Sequence, residues 1–141
     1  MILFASISSF RRCLASLLKV KRGVYAGVTA EICHAFQNVP IGQIRTNRDM
    51  ILADNDSVMI KLRLPDKKQK LSKSEGYRLI YLVMKHTELV VFLTIYPKRG
   101  PLQQININNN HLVELLQEFV DEFQHDTLVF HDIQHDLETE S

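Results

Sequence analysis

Residues 58–99 read VMIKLRLPDKKQKLSKSEGYRLIYLVMKHTELVVFLTIYPKR, three apolar stretches separated by a basic loop and a short link. In the first stretch, apolar residues alternate with Lys61 and Arg63, and this period of two predicts a strand with both cations on one face. Residues 76–85 and 89–96 predict two further strands joined as a hairpin. The last stretch is apolar on both faces, which is typical of a central strand.

The flanking segments predict helices around this hairpin. Residues 1–6 predict a short strand, and Ser9 offers an N-cap for a first helix. A second helix is predicted over residues 24–37, and the Asn-rich turn at residues 106–110 offers caps for a final one. Residues 41–57 are polar and give no clear prediction. We therefore expect an α+β fold, a small antiparallel sheet with two N-terminal helices and a C-terminal helix in the order β-α-α-β-β-β-α.

Charge is distributed unevenly along the chain. All 17 Lys and Arg residues precede Gly100, whereas nine of the 16 Asp and Glu residues follow it, so the formal net charge of +1 conceals a basic and an acidic part. A compact basic domain is typical of proteins that bind phosphate or an acidic partner. We predict a domain over residues 1–124 and a disordered acidic tail over residues 125–141, either solvated or folded over the basic loop.

Length and composition indicate one small domain. The chain has 141 residues and 45% hydrophobic residues, and no apolar run reaches the ~18 residues that a membrane helix needs. Cys13 and Cys33 occupy apolar helix positions, which predicts buried free thiols in a reducing cytoplasm. His131 and His135 have the spacing of metal ligands but no third ligand, so we expect no metal and no other cofactor.

Three segments carry a resemblance to a known family. They are IKLRLP (residues 60–65), KSEGYRLIY (residues 73–81) and VFLTIYPK (residues 91–98). In order and spacing they resemble the RelE/ParE superfamily of bacterial toxins, over about residues 1–124, and are most similar to its RelE/HigB-like branch. The resemblance implies the toxin of a type II toxin-antitoxin system, a metal-independent endoribonuclease that cleaves mRNA, commonly on the ribosome. It also implies a cognate antitoxin partner of the helix-turn-helix type.

The chain departs from the family pattern at three places. Glu75 replaces a glycine that is usual in the turn, and Pro97 stands where a small residue is common. Directly after Arg99 the chain runs Gly-Pro-Leu-Gln-Gln, without the tyrosine or histidine that some members place there for acid chemistry. Two alternatives therefore stay open, a ParE-like inhibitor of DNA gyrase and a catalytically inactive binding module with the toxin fold.

The cations of the three strands supply the chemistry that such a site needs. RNA cleavage without a metal requires a base for the ribose 2′-hydroxyl, a stabiliser of negative charge and an acid for the leaving oxygen. Lys61, beside Arg63, is the expected base, because neighbouring positive charges lower a lysine pKa. Arg78 is the expected charge stabiliser, both from its bidentate geometry and from the resemblance. Arg99, or as the alternative Lys98, is expected to contact the phosphate or help the leaving group, and Tyr96 is expected to act as an acid or as a stacking partner for a base.

The loop between the first two strands is also basic. If it lies beside a phosphate site, its lysines would add sequence-independent affinity for RNA or the ribosome. These RNA-binding residues are Lys67, Lys68, Lys70 and Lys73.

Overall fold

The computed structural model describes residues 1–46 and 49–139 and shows an α+β fold, as predicted. The helices are α1 (Ser8–Leu18), α2 (Val28–Phe36), α3 (Ile41–Arg45) and α4 (Asn109–Gln124). The strands are β1 (Leu3–Ser6), β2 (Met50–Ala53), β3 (Ser57–Leu64), β4 (Tyr77–Met84), β5 (Leu89–Pro97), β6 (Val129–Asp132) and β7 (Glu138–Thr139).

The strands form one sheet in the order β2-β3-β4-β5-β1-β6-β7. The predicted β4–β5 hairpin is present, and β3 pairs antiparallel with β4. The prediction of an antiparallel sheet is wrong in one respect, because β1 pairs parallel to β5 and makes the sheet mixed. Every residue of β5 is buried, so this strand needs a neighbour on each edge, and β1 supplies the second one.

Helices cover both faces of the sheet, which is why β5 is apolar on both sides. One face packs against α1, α2 and α3 through Phe10, Phe36 and Ile44. Phe92 of β5 joins this layer, with its ring 5.2 Å from Phe10 and 5.4 Å from Phe36. The other face packs against α4. The end of the sheet where β5 stops is therefore held by helices on two sides.

The segment after Gln124, which was expected to be a disordered acidic tail, forms the strands β6 and β7 in the structure. Strand β6 pairs antiparallel with β1 and continues the sheet, and β7 pairs with β6. Apolar residues lie between the acidic residues of this segment. Ile133 and Leu137 join the core beside α1 and α2, and Phe130 packs on the side of α4. This segment covers the edge of β1, which would otherwise expose unpaired backbone groups.

The helix boundaries differ from the sequence predictions where other elements supply the caps. Helix α1 begins at Ser8, and Ser9 lies inside it rather than capping it. Carboxylates of α4 take that role, because Glu122 accepts from the Ser8 amide at 2.9 Å and Glu118 from the Ser9 amide at 2.8 Å. The Asn-rich turn behaves as predicted, since Asn108 accepts from the His111 amide at 2.8 Å and caps α4.

Two further boundaries were not predicted. Helix α2 begins at Val28 rather than at residue 24, after a 3-10 turn at Lys21–Gly23. Residues 41–57, which gave no clear prediction, contain α3 and β2. None of the helices in the described part of the chain is long and apolar enough to cross a membrane.

Candidate nucleic-acid interface

Strand register brings the predicted cations together at one end of the sheet. Arg63 of β3 lies directly opposite Arg78 of β4, and Arg78 lies opposite Tyr96 of β5. Lys61 is two residues earlier on β3 and so shares the face of Arg63, while β5 ends just before Lys98. We call Lys61, Arg63, Arg78, Lys98 and Arg99 the cationic cluster.

The electrostatics of Lys98 show that the cluster is compact. Its pKa is lowered, first by desolvation and then by four positive charges, those of Arg78, Lys61, Arg99 and Arg63. A lowered pKa favours the neutral amine, which is the form that accepts a proton. Lys61 is the base predicted from sequence, and Lys98 is a second lysine whose pKa the charges of the cluster lower.

Two carboxylates neutralise part of the cluster. Asp49 lies 3.3 Å from Arg63 Nε, and Glu75 lies 2.5 Å from an Arg99 terminal nitrogen. Both pairs are exposed, so water screens them and each contributes little stability. Lys61 instead donates to the side chain of Asn106 at 3.2 Å, and Lys98 donates to the carbonyl of Ile105. Five cations and two acids leave an excess of positive charge at this end of the sheet.

Arg78 is buried and bound to backbone. Its guanidinium donates to the carbonyl oxygens of Lys73 at 3.0 Å, Ser74 at 2.9 Å and Tyr77 at 3.2 Å, and the residue is 8% exposed. Desolvation and the charge of Arg63 lower its pKa. These contacts fix the turn before β4. A role of Arg78 in binding phosphate would use only the part of the guanidinium that these carbonyls leave free.

Gly76 explains why this turn lies so close to β3. A Cβ at this position would sit 2.1 Å from the carbonyl oxygen of Leu64, a distance that no side chain tolerates. The Gly76 carbonyl also accepts from the Lys98 amide at 2.8 Å. The turn thereby ties the end of β3 to the end of β5, and it positions the cations of both strands.

Tyr96 is placed beside Arg78 but is 3% exposed. Desolvation raises its pKa, and the charge of Arg78 opposes that rise. The phenol therefore keeps its proton at neutral pH. Its burial leaves little ring surface for a nucleotide base, so the structure favours a packing role over the predicted stacking role.

The four lysines of the basic loop are exposed, and buried acids hold their backbone. Glu31 of α2 accepts from the Lys67 amide at 2.7 Å. Asp66 accepts from Tyr77 Oη at 2.9 Å, and its carboxylate also accepts from Gln69. Lys67 and Lys73 line a cavity of about 290 Å³ between α2 and β3, together with Arg63. Arg63 thus links the loop to the cationic cluster, whereas Lys68 and Lys70 do not line this cavity.

A second cavity, of about 240 Å³, opens on the other side of the turn. Lys98 and Arg99 line it with Ser74, Glu75 and the residues 103–105. Tyr25 supports its rim, because Tyr25 Oη donates to the Arg99 carbonyl at 2.8 Å and accepts from the Leu102 amide at 3.1 Å. Gly100 adopts a φ of +90°, and a Cβ there would lie 2.5 Å from Tyr25 Oη.

The residues that support the site were not identified from sequence. Tyr25, Glu31 and Asp66 bind backbone of the loops that carry the cations. The sequence contained a signal for Glu31, because this residue is the one acid among the apolar residues of α2. In the structure Glu31 is 5% exposed. For Tyr25 nothing in the sequence indicated a contact 77 residues away.

The histidines and acids do not form a metal site in the described ranges, where no group of three or more His, Cys, Asp or Glu could hold an ion. His131 contacts Ser6 Oγ through Nε2 at 2.7 Å, and His135 contacts Asp132 at 2.6 Å. The acidic segment does not cover the basic loop either. It pairs with β1, whereas the loop follows β3 on the far side of β4 and β5.

Comparisons of the chain with protein-family models, with curated proteins and with solved structures found no match. The resemblance to the RelE/ParE superfamily therefore rests on the three quoted segments alone, and the function has to be argued from the geometry of the cationic cluster.

Proposed function

We propose that the cationic cluster binds the phosphate backbone of RNA and that the chain is a metal-independent endoribonuclease of the RelE/HigB-like kind, the toxin of a type II toxin-antitoxin system. The observation that carries the proposal is the convergence of five cations on one end of the sheet with only two carboxylates among them. Arg63 and Arg78 lie directly opposite each other, a pairing of like charges that the single Asp49 carboxylate beside Arg63 only partly offsets.

The proposed chemistry uses the 2′-hydroxyl of the substrate as the nucleophile. Neutral Lys98 accepts the hydroxyl proton, the 2′-oxygen attacks the adjacent phosphorus, and the bond to the 5′-oxygen of the next nucleotide breaks. Arg63 and Lys61 stabilise the charge that develops on the phosphoryl oxygens, an effect of about 3–4 kcal/mol per well-placed donor. The 5′-oxygen leaves on the opposite side of phosphorus and takes its proton from water, while protonated Lys98 releases to water the proton that it accepted.

The proposed partners follow from the same function. The toxin would act on mRNA in the cytoplasm, with the exposed lysines of the basic loop adding affinity for the ribosome. A cognate antitoxin of the helix-turn-helix type would neutralise it.

A catalytically inactive binding module is the second candidate. The observation that favours it is the guanidinium of Arg78, which is committed to three backbone carbonyls instead of a substrate. Such a module would bind RNA through the same cations without cleaving it.

Single-turnover cleavage of a short RNA by excess protein distinguishes the two functions. We expect the parent to cleave, a substrate with 2′-deoxyribose at the scissile position to resist cleavage, and Lys98→Gln to reduce the rate by about 100-fold. Lys19→Ala is the matched control, since Lys19 is an exposed cation that follows α1 on the opposite face of the sheet. Binding of RNA without cleavage would favour the inactive module. If the protein neither bound nor cleaved the RNA, both functions would be excluded.

A further inference from the structure

The cavity between α2 and β3, of about 290 Å³, has the lining of a small-molecule site. Four of its lining residues are half-buried and present apolar surface, namely Ala35, Val39, Leu62 and Pro65. Ligand pockets are mostly apolar with a few convergent polar groups, and this volume is at the small end of their range. The cavity therefore has room for one small ligand that is partly apolar.

A buried carboxylate also lines this cavity. Glu31 is 5% exposed, and its Oε2 accepts from the Lys67 amide at 2.7 Å. Its Oε1 has no hydrogen-bond partner among the described residues. Nor is this oxygen enclosed by protein, since Glu122 Oε1 is the one side-chain atom of the described chain that is both enclosed and unpaired. Glu31 Oε1 is therefore an acceptor that a ligand in the cavity can use.

Cations surround the opening of the same cavity. Its exposed lining residues include Arg63, Lys67 and Lys73. Arg63 is paired with Asp49, whereas neither lysine forms an ion pair within the described part of the chain. A positively charged ligand would be attracted by Glu31 but repelled by these three cations. The charges favour a ligand with a neutral donor at its inner end and an anionic group at its outer end.

A nucleotide carries both groups, a phosphate at one end and the edge of a base at the other. Guanine presents two adjacent donors, N1–H and N2–H, on its Watson–Crick edge, whereas adenine and cytosine place an acceptor nitrogen beside their amino group. A carboxylate only accepts hydrogen bonds, so it attracts the guanine edge and repels the lone pair of the other two bases. The Gln43 amide, also in the lining, can donate to guanine O6.

We propose that this cavity binds a guanine nucleotide, with the base inside against Glu31 and the phosphate outside against Lys67 and Lys73. The apolar side chains would cover the faces of the ring. A free guanosine monophosphate and one guanosine unit of an RNA strand offer the same groups. The lining does not include Lys98, and the proposal does not depend on RNA cleavage.

Calorimetric titration of the full chain with guanosine 5′-monophosphate (GMP) tests the site. We expect GMP to bind, and adenosine 5′-monophosphate (AMP) and inorganic phosphate to bind about 10-fold more weakly. In Glu31→Gln the Lys67 amide occupies the one acceptor oxygen, so the side chain offers a donor to the base. This variant should lose about 10-fold in GMP affinity and keep the AMP affinity of the parent.

Variants at the opening and in the wall test the two other parts of the site. Lys73→Gln should weaken binding of GMP but not of guanosine, which has no phosphate. Lys68→Gln is the matched control, because Lys68 is an exposed cation of the same loop that does not line the cavity. Ala35→Leu keeps Glu31 but fills the cavity, and it should abolish GMP binding. Circular dichroism should show the same helix content in every variant.

Trinucleotides with 2′-O-methyl ribose distinguish the two sources of the nucleotide, because they cannot be cleaved. If the site serves an RNA strand, ApGpA should bind the parent more tightly than both ApApA and GMP; if it serves a free nucleotide, GMP should bind most tightly. In either case Glu31→Gln should remove the preference for guanine. The absence of a guanine preference among both the mononucleotides and the trinucleotides would overturn the proposal. So would a preference that persists in both Glu31→Gln and Ala35→Leu.

Discussion

At the scale of single residues, all five cations of the cluster contact protein atoms, and they differ in what they contact. Arg78 is bound to three carbonyls and is buried, so its first role is to hold the turn at residues 73–76. Lys98 has a lowered pKa and lines a cavity, which makes it the group best placed to exchange a proton. The sequence predicted Arg78 as a charge stabiliser and Lys98 as a phosphate contact, but not the hydrogen bonds of Arg78 to the turn, because bonds to backbone carbonyls leave no sequence pattern.

The lowered pKa of Lys98 predicts a pH dependence. Because the neutral amine is the active base, the cleavage rate should rise with pH, with a midpoint below the ordinary lysine value of 10.5. Lys98→Arg keeps the charge, but the guanidinium cannot release a proton near neutral pH. The rise of the cleavage rate with pH should therefore disappear in this variant. The measurement is a single-turnover pH–rate profile for both proteins. A rising limb that persists in Lys98→Arg would assign the base to another group.

Loss of the Arg78 side chain is expected to destabilise the fold. Arg78→Ala removes the donor of three hydrogen bonds and should lower the free energy of unfolding by about 2–3 kcal/mol. Arg78→Lys should recover less than half of this, since an ammonium cannot reach the same carbonyls as a planar fork. Arg63→Ala is the control, because its ion pair with Asp49 is exposed and should contribute less than about 1 kcal/mol. Urea denaturation of the three variants measures the difference, and an Arg78→Ala midpoint equal to that of the parent would contradict this role.

At the scale of elements, seven strands and helices of the first 124 residues were predicted in the correct order, but α3, β2 and the edge of the sheet beside β1 were not. The alternation in β3 and the hairpin of β4 and β5 were predicted correctly because each depends on local pattern. The pairing of β6 with β1 joins residues that are about 125 positions apart, as Ser6 and His131 show. High net charge indicated disorder for that segment, yet Ile133 and Leu137 join the core and help to anchor it.

A buried polar pair fixes β6 to β1. His131 Nδ1 contacts the Leu137 carbonyl at 2.9 Å, and since a carbonyl only accepts, this nitrogen carries the proton. Ser6 Oγ can then donate to His131 Nε2 while it accepts from Arg11 at 3.0 Å. Ser6 is fully buried, so the pair is structural and not a nucleophile with its base.

Removal of this histidine should loosen the C-terminal segment. His131→Ala leaves the Leu137 carbonyl without its donor and the Ser6 hydroxyl without its acceptor, and we expect a loss of about 2–3 kcal/mol in the free energy of unfolding. Gln134→Ala is the control at an exposed position on the same turn. Hydrogen exchange should show loss of protection in β6 before loss in β4. Unchanged exchange in β6 would mean that apolar packing alone holds the strand.

At the scale of the whole molecule, charge is separated in space as well as along the sequence. The cationic cluster lies where β3 and β5 end, and the ordered acids of the C-terminal segment lie across β1 and β6. Glu118 has a lowered pKa, since the hydrogen bonds from Ser9 outweigh partial burial, so it stays ionised at the N-terminus of α1. The separation of basic from acidic residues along the chain was visible in the sequence. That acidic side chains and segments lie against α1 and β1 could be seen only in the folded structure.

Salt-dependent binding of a short single-stranded RNA tests the central claim, that the cationic cluster contacts phosphates, most directly. For single strands the slope of log affinity against log salt is about −0.7 per phosphate contact. Lys61→Ala combined with Arg63→Ala should therefore bind more weakly and with a slope shallower by about 1.4. Lys19→Ala combined with Lys85→Ala removes the same charge outside the cluster, and we expect it to keep the parent slope. Equal slopes for the cluster variant and the parent would contradict the account.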